Sequence, residues 1–150
     1  MTAAASASTV WFRWLLVVII GVMLFGACMM LAPDLIRQFF SWLLYASPDA
    51  IASRFSLEAV AYLTLLHGVL GAVMFGWGAL MLMVLHGPFR RGAQEGWNML
   101  AISVILWFVP DTAFSVWTGF WQNALLNTSF AILFLIPLAA TYPGFRRAAG

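Results

Sequence analysis

A chain that is 64% apolar and 8% charged leaves few side chains able to do chemistry. Five of them fall inside long apolar stretches: His67, then Asp111, Ser115, Asn123 and Asn127. Asp111 and Ser115 are four apart, as are Asn123 and Asn127, so on helices each pair shares a face and the two faces can meet. Such a cluster supports two readings. As an interhelical clamp, it fixes one helix on the next through hydrogen bonds worth about 0.6 kcal/mol each in lipid, and Pro110, which removes a backbone bond beside it, gives the clamp a reason to exist. As a site, it forms with His67 the floor of a pocket for a ligand or a proton, with Asp111 as the functional carboxyl. The two readings are compatible.

The remaining candidates point to local roles. His86 precedes Gly87-Pro88 and reads as an interfacial helix end. A haem held between His67 and His86 fails on distance, because nineteen residues of helix separate them by about 28 Å. Glu58 is expected to pair with Arg54 or to meet water, and Arg90-Arg91 to mark topology. The single cysteine, Cys28, excludes an intramolecular disulfide and a Cys-x-x-Cys redox pair. Phe25-Gly26-Ala27-Cys28 matches a lipoprotein cleavage box poorly, since Met29-Met30-Leu31 continues the apolar run. No serine elbow, phosphate loop or His-Glu zinc pattern is present, so neither a metal nor a cofactor is expected. A histidine and an aspartate alone define no reaction.

The elements that must position these residues follow from the spacing of the charges. Seven arginines, no lysine and five acids cannot cover a water-soluble surface, and they form no basic patch for nucleic acid. Charge-free stretches cover 14–33, 59–89, 96–110 and 112–145. At about 20 apolar residues per crossing, the spacing predicts four transmembrane helices over 11–31, 57–85, 97–117 and 121–141. The expected fold is an all-α four-helix transmembrane bundle, a single domain over 1–150, with residues 1–10 and 144–150 as frayed ends. The third and fourth helices turn near Thr118-Gly119, and Trp11, Trp14, Trp42, Trp97, Trp117, Trp121 and Tyr142 mark interfaces. Arg13, Arg90, Arg91, Arg146 and Arg147 fall on one side, Arg37 and Arg54 on the other, which predicts N-in and C-in. Between the first two spans, Asp34, Gln38, Ser41 and Tyr45 form a polar stripe on an amphipathic helix over 33–46, opened by Pro33 and expected to lie in the outer interface. Ser47-Pro48-Asp49 reads as an N-cap and first turn of a further short helix.

In this frame His67 lies about 15 Å deep from the outer end of its helix, and Asp111 and Asn127 about 10 Å deep. Thr64, Gly68, Ala72 and Gly76 recur every fourth residue, with Gly71 and Gly78 beside them, a ridge of small side chains that a neighbouring backbone can approach, with Gly21 and Gly26 of the first span as its expected partners. The ridge reads as packing within the bundle or in a homodimer. Its alternative is room for a flat ligand.

Two stretches carry a resemblance: His67-Gly-Val-Leu-Gly-Ala through Gly76-Trp-Gly, and Trp107-Phe-Val-Pro-Asp-Thr through Trp121-Gln-Asn-Ala-Leu-Leu-Asn to Ile136-Pro-Leu. In these the chain resembles small bacterial four-span membrane proteins of the BphX-like kind, and more distantly DoxX-like proteins. The resemblance implies a bacterial inner-membrane protein with Asp111, Asn123 and Asn127 as family-defining positions, and it transfers no activity. The redox chemistry of cysteine pairs sometimes attached to DoxX-like proteins finds one cysteine here. The functional expectation is a multi-pass accessory module, working with a membrane partner, or a binder of a small apolar ligand. The alternative is proton-coupled export of small molecules, with Asp111 or Glu58 as the switching carboxyl.

Overall fold

The computed structural model describes residues 3–148, with side chains from Thr9 to Arg146; residues 1–2 and 149–150 of the expected frayed ends, and the Arg147 side chain, lie outside the described part. The chain is helical, with no strand among the described residues: α1 (Ala3–Leu31), α2 (Pro33–Tyr45), α3 (Ala50–Arg54), α4 (Leu57–Val84), a π-turn (Leu85–Phe89), α5 (Gln94–Trp117) and α6 (Trp121–Ala148). Residues 3–10 and 144–148 are therefore helical rather than frayed. Four segments, 9–31, 57–89, 94–117 and 121–146, are long and apolar enough to cross a membrane. Leu31, Leu57, Met83, Leu106 and many other large apolar side chains are exposed along these helices.

Two compact units divide the chain, one of Met1–Ile20 with Ala79–Gly150, the other of Gly21–Gly78. In the first, Leu15 and Ile19, Met81 and Leu85, Leu100 and Val104, and Ala131, Phe134 and Leu138 are buried. On α6 the buried positions are 124, 127, 131, 134, 137, 138 and 145, a seam along one helix face. α5 and α6 pack as an antiparallel pair. Its register is fixed at the far end by the Trp97 indole, which donates to the Leu138 carbonyl at 2.9 Å and stacks on Tyr142 at 4.9 Å between centroids. Pro137 removes the amide that would bond the Leu133 carbonyl within α6. The Trp14 indole of α1 donates to that carbonyl instead, at 2.9 Å.

At the near end, α5 closes on a Schellman turn: Phe120 N–H donates to Ser115 O at 2.8 Å, Gly119 N–H to Val116 O at 3.1 Å, and Gly119 takes φ +85°. Only glycine enters that region freely. The turn thereby sets how α6 starts against the last turn of α5.

In the second unit, α1 and α4 approach at Gly26 and Gly71, where a Cβ on Gly71 would lie 2.5 Å from the Gly26 carbonyl oxygen and 2.6 Å from Met29 Cβ. Gly78 abuts the Met23 side chain. Within the chain the close approach is therefore carried by Gly71 and Gly78. The expected ridge does not carry it: at Gly21, Gly68 and Gly76 an added Cβ would have nothing within 4 Å, and Ala72 is exposed. The reason is helical drift. At 3.6 residues per turn each four-residue step advances about 40° around the axis, so Thr64 and Gly76 differ by about 120° and cannot all face one partner, whereas a seven-residue step nearly closes.

The α2–α3 hairpin is organised by Ser41, which is fully buried. Its hydroxyl donates to Ser47 O at 2.7 Å and accepts from Ile51 N–H at 3.1 Å, bracing a turn in which Ala46 sits at φ +56°. The polar stripe read from the sequence is thus split: Asp34 and Gln38 are exposed, whereas Ser41 turns inward with Ile36. Asp49, not Ser47, occupies the cap position of α3. Arg54 lies over the Tyr45 ring at 5.3 Å, leaving Glu58 exposed.

Candidate functional site

The α5–α6 end of the first unit brings together Asp111, Ser115 and Asn123. Ser115 Oγ donates to the Asp111 carbonyl at 2.8 Å, the usual return bond of a helical hydroxyl, and accepts from Asn123 Nδ2 at 2.8 Å. That second bond is the interhelical link of the clamp reading. The Asp111 carboxylate receives much less. Ser115 Oγ and Asn123 Nδ2 each stand 3.4 Å from its Oδ1, beyond the 2.5–3.2 Å or so of good hydrogen bonds and further still from charge-assisted ones. No cation compensates it: among the described residues the one ion pair, Arg37 with Asp34 at 3.0 Å, belongs to the other unit.

Asn127 follows Asn123 by one turn of α6, as Asp111 precedes Ser115 by one turn of α5. Asn127 is 5% exposed, on the buried seam of α6, and its Nδ2 has no hydrogen-bond partner. Thr112, next to Asp111 and three residues before Ser115, also has a buried hydroxyl without a partner. That hydroxyl is an exception, because Thr64, Ser115, Thr118, Thr128, Ser129 and Thr141 all bond the carbonyl four residues back. A buried amide or hydroxyl left unpaired costs on the order of 1–3 kcal/mol on protein mutational scales. The clamp accounts for Ser115 and Asn123 and leaves Asp111, Thr112 and Asn127 with unused capacity.

His67 lies in the second unit, half-buried on α4. Its Nδ1–H donates to the Leu63 carbonyl at 2.7 Å, and the ring packs on Phe40 at 5.4 Å. Phe40 in turn meets Phe25 and Phe39. His86 sits in the π-turn, bonded through Nδ1 to Leu82 O at 3.0 Å and edge-on to Phe12, over which Arg90 also lies. No group of three or more His, Cys, Asp or Glu among the described residues could hold a metal.

Sequence reasoning paired the carboxyl, hydroxyl and amides through their four-residue repeats, but it passed over Thr112. The available signal was its place three residues before Ser115, which puts both on neighbouring turns of α5. Chemically the arrangement offers one uncompensated carboxylate, two hydroxyls and two amides, all short and oxygen-bearing, and no nucleophile–base pair. No protein-family model matches the chain, and no curated protein or solved structure matches it either.

Proposed function

We propose that the chain is a multi-pass protein of the bacterial inner membrane that works as a small binding module, its site the polar cluster of α5 and α6. One observation carries this: Asn127, on a buried and otherwise apolar seam, holds an amide donor with no partner in the chain. A residue kept only for packing at that position would be apolar, and one kept only for clamping would be bonded. A guest that engages the Asn127 amide and balances Asp111 gives both residues a reason. Native mass spectrometry of the protein extracted in mild detergent tests the reading. A bound small species in wild type that is missing from Asn127→Leu is the expected result. Wild type free of any bound species, metal ions included, contradicts it.

The five arginines of the expected inner side against two on the other support N-in and C-in, with the cluster in the outer half of the bilayer. Reporters active only in the cytoplasm should signal when fused after Gly92 and after Gly150; a signal after Ser53 would reverse the topology. In that orientation α2 lies along the outer surface. Its exposed Leu35, Phe39 and Trp42 make one stripe for lipid, and the adjoining Asp34 and Gln38 make one for water.

A further inference from the structure

We infer that the guest of this site is a small, hard, monovalent cation, of which sodium is the type, bound by the Asp111 carboxylate with the oxygens of Thr112, Ser115 and Asn127. The inference rests on the binding reading above and names its ligand.

Charge comes first. Asp111 is the one acidic or basic residue between Glu95 and Arg146, and no basic side chain pairs with it among the described residues. In lipid its charge needs a counter-charge close by. The donors come second. Carboxylate, hydroxyl and amide carbonyl are the oxygen ligands of hard cations, while the imidazole and thiolate that favour transition metals are absent from the cluster. A single carboxylate balances one positive charge, and no cluster of acids adds a second.

Spacing is the third argument. The 3.4 Å between Asp111 Oδ1 and Ser115 Oγ is long for a hydrogen bond. It suits two oxygens sharing one ion, because ligand distances of roughly 2.3–2.6 Å set neighbouring ligands about 3.3–3.7 Å apart at right angles. Asn123 serves the site indirectly, its Nδ2 donating to Ser115 Oγ at 2.8 Å and so fixing where that oxygen sits. Turning the Asn127 amide over presents its carbonyl oxygen and sacrifices no bond at Nδ2, which has none.

A proton is the competing counter-charge, and it explains less. Protonation neutralises Asp111 and gives the oxygens of Thr112 and Asn127 no part. An ion coordinated in common uses the oxygens of both, and Asp111 and Thr112, each half-buried, leave it a way in.

The test is thermal unfolding of the full chain in lipid nanodiscs, followed by tryptophan fluorescence, in sodium, potassium and choline chloride at matched ionic strength and fixed pH. Sodium should raise the melting temperature saturably, as a ligand that binds only the folded state does. Potassium should do so more weakly and choline not at all. Thr112→Val should weaken the apparent sodium affinity about tenfold or more, and Asp111→Asn should abolish the effect. If Asp111→Asn does not fold, Ser115→Ala takes its place with an expected weakening like that of Thr112→Val. Equal responses to the three salts, or an undiminished sodium response in Thr112→Val and in the Asp111 or Ser115 variant, overturn the inference. A salt-indifferent protein that still carries an organic species by native mass spectrometry overturns the cation and leaves the binding module standing, whereas a salt-indifferent protein with nothing bound removes both.

Discussion

Gly71→Ala should destabilise the protein by about 3 kcal/mol or more, the largest effect expected of any single methyl group in the second unit. A Cβ at Gly71 would sit 2.5 Å from the Gly26 carbonyl oxygen and 2.6 Å from Met29 Cβ. The first of these is backbone and the second is rigidly attached to it, so neither can swing aside and the two helices must separate. Overpacking of this kind usually costs about 1–3 kcal/mol, and more where backbone blocks relaxation. Between helices in lipid the loss is felt fully, since close packing itself holds them together. Gly68→Ala and Gly76→Ala are the controls. Both positions open on empty space, so the variants should hold or gain up to about 1 kcal/mol through helix propensity. Thermal unfolding in detergent separates the cases. If Gly71→Ala melts with wild type while Gly68→Ala is the variant that fails, the close approach runs along the other ridge.

Gly96→Ala should be nearly as damaging in the first unit. Its Cβ would meet the Phe89 backbone nitrogen, with Phe89 Cα and the Pro88 carbonyl carbon at 2.7 Å. That backbone belongs to a turn with little freedom. Gly87 departs from helical geometry at ψ −108°, Ala93 N–H donates to Pro88 O at 3.1 Å, and Gly92 occupies φ +74°. The buried Phe89 ring is further held against Phe145 at 4.8 Å. A methyl group must push the start of α5 off this turn, at a cost of about 2–3 kcal/mol. Gly144→Ala, with nothing within 4 Å, should be neutral. A Gly96→Ala protein as stable as Gly144→Ala would show that the turn yields.

These two glycines also show what the sequence did and did not disclose. The four long apolar helices are legible because a charge in lipid is costly, so Arg13, Asp34, Glu58, Arg90 and Glu95 bracket them. Thr118-Gly119 is legible because few residues other than glycine take positive φ there. The pairing of Asp111, Ser115 and Asn123 is legible from helical periodicity alone. Gly71 was not distinguishable from Gly68 by type. Their positions differ by about 60° around α4, and only the partner helix says which side matters. Ser41 reads as one more polar residue on a stripe, because nothing local reveals that Ser47 and Ile51 fold back on it. Asn127 reads as a clamp residue from its spacing to Asn123. That its amide finds no partner is a property of three-dimensional packing, and the functional account follows from it.

The central claim is that the α5–α6 cluster retains polar groups for a guest, at the expense of the empty fold. The stability of Asn127→Leu and of the smaller Asn127→Val, measured by thermal unfolding in sodium-free choline buffer after removal of any bound species, tests it most directly. With its donor unpaired on an apolar seam, Asn127 should be the less stable choice, so at least one of the two variants should be more stable than wild type by about 1–3 kcal/mol. If both are less stable than wild type by more than about 1 kcal/mol, the Asn127 amide is bonded within the chain, and the cluster is a clamp.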